Sequence, residues 1–162
     1  MNQPVKNPSN NQPILQVTAG QDRFKEHRSL GISAIDFKVA TNDLAGIFIL
    51  ENTFHEKGGP ARHLHYEQDE WFYILEGVLH FEVGNQTFRM HPGDSLIGPR
   101  RVPHVWAFME GEIGRILIAF MPAGKMEAFF KIVTQANAMP PQDPALWHTH
   151  GMELLGPPLL FG

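Results

Sequence analysis

Two histidines one residue apart, His63 and His65, are followed five residues on by Glu70 in the stretch GGPARHLHYEQDEWFYILEG (58–77). A third histidine, His104, opens the later run HVWAFM. Successive side chains of a β-strand point to opposite faces, so His63 and His65 share a face and their imidazoles can converge on one point. Glu70 shares its face with Phe72 and Ile74, and His104 shares its face with Trp106 and Phe108. An ionised carboxylate in such apolar company is costly unless something positive sits beside it, and no nearby basic residue shares that face. A divalent cation meets the need. Imidazole and carboxylate are ligands for Fe, Mn, Ni, Co, Cu or Zn, and the absence of cysteine argues against a purely structural zinc knot. Four protein ligands leave up to two positions open on an octahedral ion, and an open position is what a catalytic metal requires.

The elements that must hold these residues read as short β-strands. Residues 1–13 are polar and rich in Asn and Pro, which predicts a flexible arm. From about residue 14 the pattern changes to strand-like runs at 32–39, 44–52, 70–75, 78–83, 87–90, 95–97, 104–109 and 115–120. Turn residues separate them: Gly77 is read as closing one strand, Gly84-Asn85 as a two-residue hairpin turn, and Pro92-Gly93-Asp94 as a further turn. Many short strands at this spacing predict an all-β sandwich or barrel around one core. Helical periodicity occurs only near 125–136, where Met126, Phe129, Phe130 and Val133 make an apolar face suited to packing on the barrel. The tail, 137–162, carries five prolines in Pro140-Pro141, Pro144 and Pro157-Pro158, which oppose regular helix over most of it. Its apolar ending, LLGPPLLFG, predicts an ordered arm packed on the barrel or on a partner subunit.

Composition narrows the function classes. The 162 residues suffice for one domain with a continuous core. A formal charge of −4 and the lack of any basic cluster beyond Arg100-Arg101 make nucleic acid a poor partner. No stretch approaches the roughly 20 apolar residues of a membrane span, and the N-terminal residues lack the apolar core of a secretory signal. A cytoplasmic protein with no membrane partner is therefore expected. Strand edges and the apolar tail predict a homodimer.

With these residues in view, the stretch G-P-A-R-H63-L-H65-Y-E-Q-D-E70-W-F-Y-I-L-E-G77 resembles the first motif of the cupins, and G93-D-S-L-I-G-P99-R-R-V-P-H104 resembles the second. The resemblance covers about residues 45–120 and implies a small antiparallel jelly-roll β-barrel. It also implies that His63, His65, Glu70 and His104 are a three-histidine, one-glutamate metal set. The short C-terminal helix and the Pro-rich tail look like those of single-domain cupins related to quercetin 2,3-dioxygenase, and small cupins usually pair. Three departures stand out: Gly58 lies one residue nearer His63 than the motif's usual glycine, Arg101 replaces the second motif's internal Gly, and Phe108 replaces its terminal Asn. These bear on pocket shape and substrate more than on metal.

The other histidines read differently. His80 and His91 have no partners at ligand spacing, and His148 and His150 form a second His-x-His without an acidic companion. His55 and Arg62 flank the first motif, either at the pocket mouth or in solvent. Phe72, Ile74, Trp106 and Phe108 are the expected pocket-lining residues, whereas Trp71 and Tyr73 alternate to the other face. The expected function is a metal-dependent dioxygenase acting on a small apolar, enolisable or aromatic substrate, with Glu70 as the base. A non-catalytic small-molecule-binding cupin and a metal-dependent isomerase or decarboxylase are the alternatives.

Overall fold

The computed structural model describes residues 5–6 and 13–160; the expected flexible arm 1–13 otherwise lies outside the described residues. Two short strands, β1 (Val5–Lys6) and β2 (Pro13–Ile14), pair with each other in a small antiparallel ladder. The remaining strands form one continuous antiparallel sheet that folds over on itself. They are β3 (Arg28–Ser29), β4 (Ser33–Val39), β5 (Phe48–Phe54), β6 (Arg62–His65), β7 (Asp69–Val83), β8 (Gln86–Met90), β9 (Ser95–Gly98), β10 (His104–Met121) and β11 (Met152–Gly156).

Two long strands, β7 and β10, belong to both layers of this jelly roll. The first half of β10 pairs with the second half of β7, and β6, β8 and β11 complete that layer. The second half of β10 pairs with the first half of β7, and β3, β4, β5 and β9 complete the other. Gly77 therefore does not end a strand, as its sequence context predicts. It bends one strand from layer to layer at φ 76°, and a Cβ there would press on the Ile113 carbonyl oxygen and the Phe108 ring. The register slips opposite it, between Phe108 and Ile116, show where β10 turns the same corner. The separate runs predicted at 70–75 and 78–83, and at 104–109 and 115–120, are thus halves of two bent strands.

Alternation along the strands fills the interior. Ile35, Phe37, Phe48, Leu50, Phe54, Phe72, Ile74, Leu79, Phe81, Phe108, Ile116 and Phe120 are fully buried. Each such side chain contributes on the order of 1.5–3 kcal/mol through removal of its surface from water. Helix α1 (Met126–Val133) lays Met126, Phe129 and Val133 on this core, in line with the predicted helical face.

The tail departs from its reading. Prolines were expected to keep it irregular, yet α2 spans Pro144–Thr149. Pro144 sits in the first turn, where its missing N–H costs nothing, and Asp143 caps the helix by accepting from the Ala145 N–H at 3.0 Å. After Gly151 the chain turns into β11, which pairs with β6 from Met152↔His65 to Gly156↔Arg62. A tail that reads as an appendage is a strand of the barrel.

Candidate metal centre

Local structure aims the four residues at one point. His63 lies directly opposite His104 where β6 meets β10. His65 is one pleat further along β6, held from the other edge by Met152 of β11. Glu70 comes from the first half of β7, between Gly98 of β9 and Phe120 of β10. Gly59, just before β6, passes so near β10 that any Cβ would collide with the Trp106 carbonyl oxygen, and Gly58 exchanges backbone hydrogen bonds with Phe108. The tight approach of this glycine pair brings His63 against His104.

Arg101, which stands where the resemblance expects glycine, keeps the conformation that glycine favours, with φ 65°. Its backbone N–H donates to the His65 carbonyl at 2.7 Å, tying the approach to β10 onto β6. Its guanidinium faces outward to Glu67.

All four side chains are at most 5% exposed, and one ligand atom from each lies within 4.8 Å of the others. Two atoms bound to one ion at about 2.1 Å stand no more than about 4.2 Å apart, so the group needs only a small contraction to close on a metal. The His65 and His104 rings are nearly parallel at 5.7 Å, with the His63 ring 4.5 Å from His104. The His63 Nδ1 hydrogen points to the Ala61 carbonyl at 2.7 Å, which leaves the Nε2 lone pair for a ligand.

Glu70 Oε1 is 2.6 Å from His65 Nε2 and Oε2 is 3.2 Å from His104 Nε2. The contacts lack hydrogen-bond alignment: His65 Nε2, His104 Nε2 and Glu70 Oε2 are all buried with no partner. Orphaned donors and acceptors this close together are expensive unless an ion satisfies them. The residues fit a divalent metal.

The electrostatics agree with that fit. Burial is the largest influence on Glu70 and pushes its pKa up, but the imidazoles of His65 and His104 outweigh it and hold the carboxyl well below the usual range. Burial, then His104 and His65, pushes the His63 imidazole well below its ordinary value, so it stands neutral, as a ligand must.

A narrow cavity opens onto this group. His63 and Glu70 line it together with Phe54, Trp106, Phe120 and Trp147. Of the four expected lining residues only Trp106 takes that place. Phe72, Ile74 and Phe108 are fully buried in the core and do not line the cavity, because sharing a strand face sets direction but not depth along the barrel. Trp71 and Tyr73 stack on each other on the opposite face, as alternation requires.

Sequence reasoning missed Trp147. Its ring meets His63 edge-on at 5.1 Å, and its indole N–H donates to the Pro141 carbonyl at 2.8 Å. A lone large aromatic in a proline-rich tail was the available signal. Met126 and Phe129, read as helix packing, also line the cavity. The second His-x-His does not converge: it sits on and just after α2, where the buried His150 donates to the Leu146 carbonyl at 2.8 Å and exposed His148 stands near Tyr66. His80 joins a surface cluster with Glu110 and Arg89, and His91 is exposed. His55 is exposed, and Arg62 bonds to Glu82 outside the cavity.

Comparison with known proteins supports the same class. Residues 51–120 match the family model described as "Cupin domain". Among solved structures, the polyketide cyclase RemF from Streptomyces resistomycificus superposes with a TM-score of 0.55 at 21% identity, covering 68% of this chain and 80% of that one. KdgF from a Halomonas species superposes with a TM-score of 0.52 at 16% identity, covering 59% and 85%. The family match and these likenesses show the cupin jelly-roll fold. A curated relative is a 3-hydroxyanthranilate 3,4-dioxygenase from Xenopus laevis, 32% identical over 56 residues. That stretch is 35% of this chain and spans one fifth of the relative's length.

Proposed function

We propose that this chain is a metal-dependent dioxygenase of the cupin class acting on a small, largely apolar substrate that is enolisable or aromatic, in the manner of a quercetinase. One observation carries the reading: a buried group of three imidazoles and one carboxylate stands at the wall of a cavity whose other walls are almost entirely apolar. The distant likeness to a dioxygenase adds support at the level of reaction class.

His63, His65, His104 and Glu70 would hold the ion, which when bound supplies Lewis acidity and a template for a substrate oxygen. Phe54, Phe120 and Trp147 exclude water and keep the polar chemistry in a low-dielectric space. Glu70, whose carboxyl is held ionised, is the carboxylate placed to accept the enol or phenol proton.

Metal analysis of protein purified without added metal, followed by oxygen uptake over flavonols and enolisable diketones, tests the reading. About one transition-metal ion per chain and oxygen consumption with at least one substrate are expected. Protein that binds no added Fe, Mn, Ni, Co, Cu or Zn would overturn it.

A further inference from the structure

Two polar side chains on the cavity wall have nothing to bond. Ser33 opens β4 and Asn52 lies within β5; they are 2% and 5% exposed. Both line the cavity with His63 and Glu70, yet neither Ser33 Oγ nor Asn52 Oδ1 has a hydrogen-bond partner. Alternation explains their direction, since Ser33 shares its face with Ile35 and Phe37, and Asn52 shares its face with Leu50 and Phe54. Ser33 stands opposite Phe54 and Asn52 opposite Ile35, so the two are diagonal neighbours, roughly 7 Å apart across the ladder. Each would pack better as an apolar residue of the same shape, because a buried hydroxyl or amide without a partner is destabilising. A few unpaired polar groups aimed into an apolar void are the means by which a pocket orients a ligand.

We propose that Ser33 and Asn52 form a polar subsite for an uncharged hydroxyl or carbonyl of the substrate, remote from the group that meets His63, His65, Glu70 and His104. The inference deepens the dioxygenase reading and rests on it for the other end of the ligand. Charge decides the chemical class. No Lys or Arg lines the cavity, so a carboxylate or phosphate at this subsite would be buried without a counter-charge. A serine hydroxyl and an asparagine amide each donate and accept, and either end of the amide can face inward. The substrate is then an apolar body carrying at least two separated oxygen functions, neither of them a permanent anion at the Ser33–Asn52 end.

The probes are 2-naphthol, 2,6-dihydroxynaphthalene and naphthalene-2,6-dicarboxylate, titrated calorimetrically into wild type, Ser33→Ala and Asn52→Leu, each metal-loaded and chelator-treated. Wild type should bind the diol roughly three- to tenfold more tightly than the mono-ol, the gain of about one hydrogen bond. It should reject the dicarboxylate, which must set one carboxylate against Ser33 and Asn52. Either variant should lose that preference while its Tm stays level or rises, because an orphaned group has been removed. Ser33→Ala alone suffices if Asn52→Leu does not fold. Equal affinity for diol and mono-ol in wild type, no binding of any probe, or a preference that survives the substitutions overturns the subsite. So does a Tm that falls by several degrees with the preference intact, which marks a structural role. Metal content of the same samples decides the dioxygenase reading separately: metal-free wild type that still prefers the diol keeps the subsite and removes the metal.

Discussion

At the scale of single residues, Glu70 touches two imidazoles and can act as ligand, as base, or as both. Glu70→Gln keeps the shape and one oxygen donor but removes the basicity. If the carboxylate is chiefly the proton acceptor, metal content should fall modestly while turnover drops on the order of 10²–10⁴-fold. If the protein only binds its ligand, the same change alters affinity alone, and full loss of metal would make Glu70 first a ligand. His104→Ala removes a donor that nothing nearby replaces, so metal analysis should show occupancy reduced by roughly tenfold or more. Chelator should lower the wild-type Tm by about 5–10 °C, since an ion at a hundredfold excess over its Kd stabilises the folded state by about 2.7 kcal/mol. The same chelator should leave the His104→Ala melt nearly unchanged. Arg101 can be tested alongside: Arg101→Gly relieves a left-handed backbone worth about 1–2 kcal/mol and keeps the bond to His65, so Tm should hold or rise slightly.

At the scale of elements, an ion pair beneath β4 fastens the segment before it. Asp22 bonds Arg28 and also accepts from the Phe37 and Phe24 backbone N–H groups at 2.8 and 2.7 Å, while Arg28 lies over the Phe37 ring. Asp22→Ala leaves the buried Arg28 guanidinium only the exposed Glu26 as an ionic partner and unpairs the Phe37 and Phe24 N–H groups, and should cost about 3–5 kcal/mol in chemical denaturation. On the opposite surface, hydrogen bonds from Arg89, then from His80, push the Glu110 carboxyl down to about 2. A depressed carboxyl stabilises the fold above its unfolded value of 4.5 and loses that contribution as pH falls toward about 2. Any stability gap between wild type and Glu110→Gln at pH 6 should therefore narrow over that acid window. The elements that bear the candidate site were legible because a period of two is local: the inward faces of His63, His65, Glu70 and the residues around them could be assigned from alternation. The bends at Gly77 and across 108–116 were not, since a mid-strand corner and a strand end carry the same glycine signal. Ser33 and Asn52 escaped notice because polarity in a strand ordinarily marks the solvent face. The partner of β11 was illegible for another reason: edge pairing is a long-range choice that leaves no spacing to read.

At the scale of the whole molecule, we propose that the chain pairs with a second copy. Ile97, Leu155 and Leu160 are exposed apolar side chains on β9, on β11 and beyond it, and a self-complementary contact would cover such surface. Sedimentation at micromolar concentration should give twice the 18.3 kDa chain mass, and a single species at 18.3 kDa would refute the pairing. Among the described residues no helix is long and apolar enough to cross a membrane. The pairing of β11 with β6 also sets an order in time. His63 and His65 are made early, but the strand that carries them meets β10 at one residue pair and gains most of its ladder from Met152–Gly156. Until Met152–Gly156 have been made and have left the ribosome, β6 stays without that ladder. Any ion the centre takes must then be acquired after β11 has docked, and nascent chains arrested before residue 152 should retain none.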